Sequence, residues 1–316
     1  MVAQSGGVLR TPDDRFANLP DFGFEPRYID RLPGFEGLRL HYVDEGPRQA
    51  SHLFLCLHGQ PTWSFLYRRM IPLFLATGAR VVAPDLYGFG RSDKPVDEAW
   101  YTFSRHRESL LAFIDTLGLQ RITLVCQDWG GLLGLTIPLQ FPDRFDRLIV
   151  MNTALATGKG TLGPGFVAWR DWVNRSPDLD VGVLMRRSCP HLTEAEAKGY
   201  DAPFPDIRYK AGARRFPNLV CDRPDADGAA LSREALRWWA DRWHGRTFMA
   251  IGMQDPVIPP EAMVKLSTVI RGCPPPLQLP QAGHFVQEWG DVVATAALDA
   301  FDRPLAALSP SNPDLS

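Results

Sequence analysis

Val125-Cys126-Gln127-Asp128-Trp129-Gly130-Gly131 is the stretch on which the fold turns. An apolar β-type run stops abruptly within this stretch and gives way at once to a glycine-opened helical pattern. So tight a strand-to-helix turn exposes the residue at its centre, while small neighbours let the helix pack close against the strand; this is the shape of a nucleophile elbow. The central residue is Asp128. A carboxylate with an ordinary pKa of about 3.9 is already ionised and needs no base to activate it. It can attack sp³ carbon directly, forming an alkyl ester that a His-activated water must then open. An Asp opening a helix is also a common N-cap, and Asp128 by itself leaves both readings standing.

Outward from the elbow, from about residue 37, short β-rich runs alternate with helical patterns, which predicts a largely parallel sheet covered by helices on both faces, an α/β class. The runs HLFLCLH (52–58), RVVAPD (80–85), ITLVCQD (122–128), RLIVMN (147–152) and TFMAIGM (247–253) are apolar without strict alternation, as buried strands are. GLRLHYVDEG (37–46) alternates better and reads as an antiparallel hairpin partner at the edge. Leu110, Leu111, Ile114 and Leu117 recur at helical spacing, with Ser104 as the expected N-cap and Gly118 as the stop. The rhythm breaks between 154 and 227, where tryptophans, prolines and the capping signature Thr193-Glu194-Ala195-Glu196 predict a helical cap. A core domain over 1–153 and 228–316 with a cap over 154–227 is the expected organisation. The tail LSPSNPDLS (308–316) is expected to fray.

The bulk numbers bound the function by exclusion. The chain has 316 residues, is 45% hydrophobic and 22% charged, and carries a formal charge of −2, which leaves no basic field for nucleic acid or anionic lipid. Five cysteines, Cys56, Cys126, Cys189, Cys221 and Cys273, are odd in number and form no CxxC pair, so neither a disulfide framework nor a metal site is expected. Cys126 reads as a small buried thiol at a strand end. Gly88-Phe89-Gly90 is no dinucleotide fingerprint, because Asp93 stands where the third Gly should fall. No cofactor is implied. The N-terminus lacks a signal-peptide pattern and no run approaches the ~20 apolar residues of a membrane span, so the expectation is a cytoplasmic protein.

Three more segments carry chemistry. His284 lies in Gln281-Ala282-Gly283-His284-Phe285, after the short run LQLP, and Asp255 follows the strand-like TFMAIGM. Each has an ordinary reading, a surface loop histidine and a turn-capping aspartate. Together, Asp128, Asp255 and His284 follow the nucleophile, acid, histidine order of this architecture, each at the carboxyl end of a predicted strand. The acid would hold the histidine tautomer while His284 takes a proton from water. Leu57-His58-Gly59-Gln60-Pro61 follows an earlier strand, from which the backbone N–H groups of Gln60 and Trp129 can face a developing oxyanion.

With HGQPTWSFLYRRMIP (58–72), GFGRSDKPVD (88–97), ITLVCQDWGG (122–131), LTEAEA (192–197), APFPD (202–206), TFMAIGM and GHFVQE (283–288), the chain closely resembles the haloalkane dehalogenases, in the subfamily whose acid follows the strand after the cap. The resemblance runs from RTPDDRF (10–16) to AGHFVQE (282–288) and implies an α/β-hydrolase fold. It implies hydrolysis of a carbon–halogen bond in a small haloalkane, giving alcohol, halide and a proton, with Asp128 as nucleophile, His284 as base and Asp255 as acid. It further implies halide binding by Trp129 and by Trp169 in Gly165-Phe166-Val167-Ala168-Trp169, with Trp172 the competing cap donor. An indole N–H donates and cannot accept, as a departing anion requires. Phe166, Trp172, Leu132, Phe216, Pro217, Val220, Val257 and Ile258 are assigned to the pocket.

The sequence departs from the family at Leu132, where an aromatic is expected, and at Gln60, where an acidic residue or Asn is usual. A short stretch from Ala154 to Gly165 predicts tolerance for longer substrates. A water and a small haloalkane are the expected partners of a monomer. The alternative is an epoxide hydrolase, which shares the elbow but needs a hydroxyl acid such as Tyr200 or Tyr209. A cofactor-free oxidative enzyme on this fold is disfavoured by the position of Asp255, and a non-catalytic receptor by the complete triad.

Overall fold

Eight runs of the chain pair into one sheet: β1 (Arg27–Ile29), β2 (Leu40–Glu45), β3 (Leu53–Leu57), β4 (Arg80–Pro84), β5 (Ile122–Cys126), β6 (Phe145–Met151), β7 (Arg246–Gly252) and β8 (Leu277–Leu279). Their spatial order is β8-β7-β6-β5-β3-β4-β2-β1, with β8 to β4 parallel and the β1 and β2 end antiparallel. The structure is a computed structural model and describes residues 7–302; the Pro- and Ser-rich tail lies outside them. Strands β3, β4 and β5 are buried along their whole length, which is why they read as continuous apolar runs rather than alternating ones. β2 lies one place inside the edge, bonded to β1 on one side and β4 on the other, because β1 is too short and polar to show as a strand in the sequence.

Helices α1 (Ile71–Ala76), α2 (Phe103–Thr116), α3 (Asp128–Gly134), α8 (Ala229–Asp241), α9 (Pro260–Val269) and α10 (Gly290–Asp302) accompany the sheet. α2 buries Leu110, Phe113 and Ile114 and ends ahead of Gly118, whose φ of +58° lets the chain reverse there. Its N-cap is Thr102 rather than Ser104: the Thr102 hydroxyl accepts from the Arg105 N–H at 3.1 Å. Burial of Phe103 draws the helix start back, and Ser104 sits in the first turn, where Asp227 accepts from both its N–H and its hydroxyl.

Between β6 and β7 the chain leaves the sheet and forms α4 (Pro164–Arg175), α5 (Val181–Ser188), α6 (Glu194–Asp201) and α7 (Ala211–Arg215) before α8 returns it. The Thr193 to Glu196 signature forms the capping box expected of it. This insertion lies at the carboxyl ends of the strands: Gly165 in α4 leaves no room for a Cβ against the Pro256 carbonyl after β7. The five thiols are free, and no helix among the described residues is long and apolar enough to cross a membrane.

Candidate active site

The parallel strands deliver their polar residues to one edge. β3 ends into Gly59 and Gln60, β5 into Asp128, β6 into Asn152, β7 into Asp255 and β8 into the loop of His284. The connection after β3 runs to β4 on one side and the connection after β5 runs to β6 on the other, so the crevice of an open α/β sheet opens between β3 and β5, beside the elbow. Asp128 has φ of +50°, a left-handed conformation that is strained for a side-chain-bearing residue. Its N–H donates to the Asn152 carbonyl at 2.9 Å and its carbonyl accepts from the Thr153 hydroxyl at 2.7 Å, which hold it there. A Cβ on Gly130 would lie 1.9 Å from the Leu57 carbonyl oxygen, so only glycine lets α3 approach β3 this closely.

The carboxylate has two distinct environments. Oδ2 accepts from the Gln60 backbone N–H at 2.8 Å, while Oδ1 lies 3.6 Å from His284 Nε2, beyond hydrogen-bond length. Gly59 runs so close over Asp128 that a Cβ there would meet Oδ2 at 2.3 Å. That loop is braced from below by His58, whose Nε2 accepts from the Leu86 N–H at 2.9 Å and whose Nδ1 therefore donates to the Gly59 carbonyl at 2.8 Å. Burial pushes the His58 pKa down, which keeps the ring neutral in that role. Trp129 directly follows Asp128 as the second residue of α3, where a backbone N–H has no partner within the helix.

His284 Nδ1 donates to Asp255 Oδ2 at 2.8 Å. The other Asp255 oxygen accepts from the N–H groups of Val257 and Ile258 at 2.7 and 3.0 Å. Two positioning residues had not been singled out in the sequence. Asn152 donates to Asp255 Oδ2 at 2.7 Å and exchanges two further bonds with the Gly252 backbone, and Gln127 donates to the His284 carbonyl at 3.0 Å. The signal for Asn152 was present: a polar residue closes the apolar run RLIVMN beside two other functional strand ends.

Burial pulls the His284 pKa down, but the carboxylates of Asp255 and Asp128 outweigh it and lift it to about 10. A histidine raised in the folded state contributes stability that is complete below its unfolded pKa of ~6.5 and is lost as pH rises towards 10. The midpoint of urea denaturation is therefore expected to fall between pH 6.5 and 10 in the unmodified protein, and to fall less in His284→Gln; equal slopes would overturn this.

Trp129 is buried and its ring packs against Phe216 at a centroid distance of 4.7 Å and Phe103 at 6.3 Å. Leu132, one turn on from Asp128, is buried. In α4, Trp169 is half-buried against the core and stacks on Trp172 at 5.3 Å, while Trp172 is 36% exposed. Exposure to water weakens an indole N–H as a halide donor, which favours Trp169 of the two. Phe166, one residue past the Gly165 contact with Pro256, Val220, Val257 and Ile258 are half-buried, and Phe216 and Pro217 are fully so. The Tyr200 hydroxyl is committed to Glu288 and Arg68 in a buried ion cluster, so it is not free to protonate an opening epoxide. Among the described residues no cluster of side chains would hold a metal ion.

The family model for the alpha/beta hydrolase fold matches residues 52–291. A haloalkane dehalogenase of Psychrobacter cryohalolentis is 44% identical over 286 residues, 89% of this chain and 93% of the relative. One from Mycolicibacterium paratuberculosis is 42% identical over 285 residues, again 89% and 93%. Among solved structures, the tetrameric haloalkane dehalogenase DpaA from Paraglaciecola agarilytica NO2 matches at 48% identity and a TM-score of 0.92, covering 94% of this chain and 100% of that one.

Proposed function

The chain belongs to the haloalkane dehalogenase family of α/β hydrolases, enzymes acting on carbon–halide bonds, and on that premise we propose that it does so through a covalent ester on Asp128. The observation carrying this reading is the split carboxylate: Oδ2 is held by the Gln60 N–H, while Oδ1 faces His284 across a gap longer than a hydrogen bond. Oδ1 attacks the halogen-bearing carbon; the carbon–oxygen bond forms as the carbon–halogen bond breaks, and halide leaves towards the indole N–H groups of Trp129 and Trp169. In the second step His284 Nε2 takes a proton from water, and the resulting hydroxide attacks the ester carbonyl carbon. Negative charge gathers on Oδ2, where the N–H groups of Gln60 and Trp129 receive it. The intermediate collapses by breaking the Cγ–Oδ1 bond; the departing alkoxide takes the proton held by His284 and leaves as alcohol, and the remaining proton is lost to solvent as the Asp128 carboxylate is regenerated. Asp255, steadied by Asn152, holds His284 in the tautomer that leaves Nε2 to act.

The raised pKa of His284 fits this sequence of events. An imidazolium cannot serve as a base, but alkylation turns Asp128 into a neutral ester and removes one of the two carboxylates that hold the proton. The nucleophile's own reaction thus lowers the pKa of the base it needs next.

Residues 154–227 act as the cap in this reading, with Phe166, Leu132, Phe216, Pro217, Val220, Val257 and Ile258 as the apolar wall and Trp172 at the outer rim. The substrate is a small haloalkane and the co-substrate water; the protein acts as a monomer in the minimal scheme, while the tetramer of the DpaA structure makes size measurement a companion test. The test of function is halide release from 1,2-dibromoethane and 1-bromohexane by the purified protein, beside Asp128→Ala and with styrene oxide as a separate substrate. Bromide release that disappears in Asp128→Ala is expected, and the ratio of the two bromides reports pocket length. Diol from styrene oxide with no halide from either bromide would replace this function with epoxide hydrolysis.

A further inference from the structure

Gln60 is 4% exposed, and both ends of it are used. Its backbone N–H holds Asp128 Oδ2 at 2.8 Å, and its side-chain Nε2 donates to the Ala213 carbonyl in α7 of the insertion at 2.8 Å. Three residues on, Phe216 packs its ring 4.7 Å from that of Trp129 and 4.8 Å from that of Phe89. Ala213 and Phe216 are themselves fully buried. One short cap segment therefore grips, through their side chains, both Gln60, whose N–H holds Oδ2, and Trp129, whose N–H is the second donor of the proposed oxyanion hole. The rest of the 58–60 loop is held from the core side by His58 and by the crowding of Gly59 on Asp128. The cap-side hydrogen bond supplies a restraint on Gln60 that the core does not.

We infer that the Gln60 side chain is a positioning group through which the cap segment Ala213–Phe216 sets the oxyanion hole, so that ester hydrolysis, and not carbon–halogen cleavage, depends on the seating of the cap. The inference rests on the function proposed above. Its selectivity follows from where charge moves. During alkylation negative charge leaves the carboxylate for the halide, so an N–H on Oδ2 gives that step no help. During hydrolysis negative charge gathers on Oδ2, and the same N–H stabilises it only if it is held in place beforehand.

The test is rapid-quench single turnover of 1-bromohexane with excess protein, following bromide and 1-hexanol separately in the unmodified protein, Gln60→Met and Gln60→Leu. Methionine nearly matches the glutamine in length, keeps the backbone N–H and removes the donor to Ala213. Bromide formation is expected to change less than about threefold in Gln60→Met while hexanol formation slows about tenfold, part of the ~10²–10³ that outright loss of an oxyanion donor costs. Intact mass should show the hexyl ester persisting for correspondingly longer. Gln60→Leu, which removes the same donor with a shorter, branched side chain, should shift the partition the same way and keeps the test alive if Gln60→Met does not fold. Gln60→Glu keeps the length but presents an acceptor to an acceptor, and should behave no better than Met. Equal slowing of both steps would mean a merely structural role and overturn the inference, as would an unchanged partition in both variants. Absence of bromide from the unmodified protein would sink the proposed function and this inference together, whereas bromide release with an unaltered partition sinks this inference alone.

Discussion

His284→Gln is expected to turn a catalyst into a single-use reagent, releasing about one equivalent of bromide per protein molecule and then stopping. The nucleophile is untouched: Asp128 keeps its φ of +50°, its bond from the Gln60 N–H and its anchorage to Asn152 and Thr153. Alkylation should therefore proceed. Glutamine cannot accept a proton from water at neutral pH, so the ester waits for unassisted hydrolysis, and turnover falls by about 10⁴, the upper end of what a positioned base contributes. Asp255 retains its bonds from Asn152, Val257 and Ile258, which limits the structural cost of losing its histidine partner. Bromide stoichiometry and intact mass decide the matter: a stable alkyl adduct removed by Asp128→Ala is the expected result. Sustained turnover in His284→Gln would mean that another group activates the water and would overturn the assignment of His284.

Arg68→Met is expected to carry the largest cost in stability, about 3–5 kcal/mol, because it strands buried carboxylates. Arg68 is fully buried and donates to both Glu288 oxygens at 2.7 and 2.8 Å and to Glu196 at 2.9 Å. Arg69 and the Tyr200 hydroxyl complete the cluster around the same two glutamates. Burial opposes the Glu196 charge, but bonds from Thr193 and Arg68 outweigh it and bring its pKa to about 2. Methionine fills most of the arginine's volume but leaves Glu288 unpaired on one side, four residues beyond His284. The loss should appear as a lower urea midpoint with an unchanged slope, and Arg68→Met combined with Glu288→Gln should recover part of it. A loss under about 1 kcal/mol would mean that water reaches the cluster and the ions are not held as the burial implies. Since Glu196 and Tyr200 lie in α6 and Glu288 follows the His284 loop, the cluster also ties one side of the helical insertion to the rest of the fold.

Residues close together in the chain were the ones legible beforehand. The strands within ITLVCQD and TFMAIGM, which end at Cys126 and Gly252, slightly inside the runs read for them, the glycine-opened helix at the elbow, the stop at Gly118 and the Thr193 capping box are decided by local backbone preference and by periodicity, which a single sequence displays. The order of Asp128, Asp255 and His284 was equally visible, and parallel strands then bring their carboxyl ends to one edge as a matter of topology. Local reasoning placed the N-cap of α2 at Ser104, two residues late: Thr102 caps it, and burial of Phe103, a tertiary fact, sets the start there.

What only the tertiary structure decided are bonds between residues far apart in sequence. Asn152 meets Asp255 across 103 residues, Gln127 meets His284 across 157, Gln60 meets Ala213 across 153 and Arg68 meets Glu288 across 220. The sequence by itself determined the fold class and which residue types stand at the strand ends, because strand, turn and cap preferences act over a few residues. It did not reveal the partners that hold those residues in place, since a side chain's long-range partner is selected by how layers pack, and packing has no period along the chain.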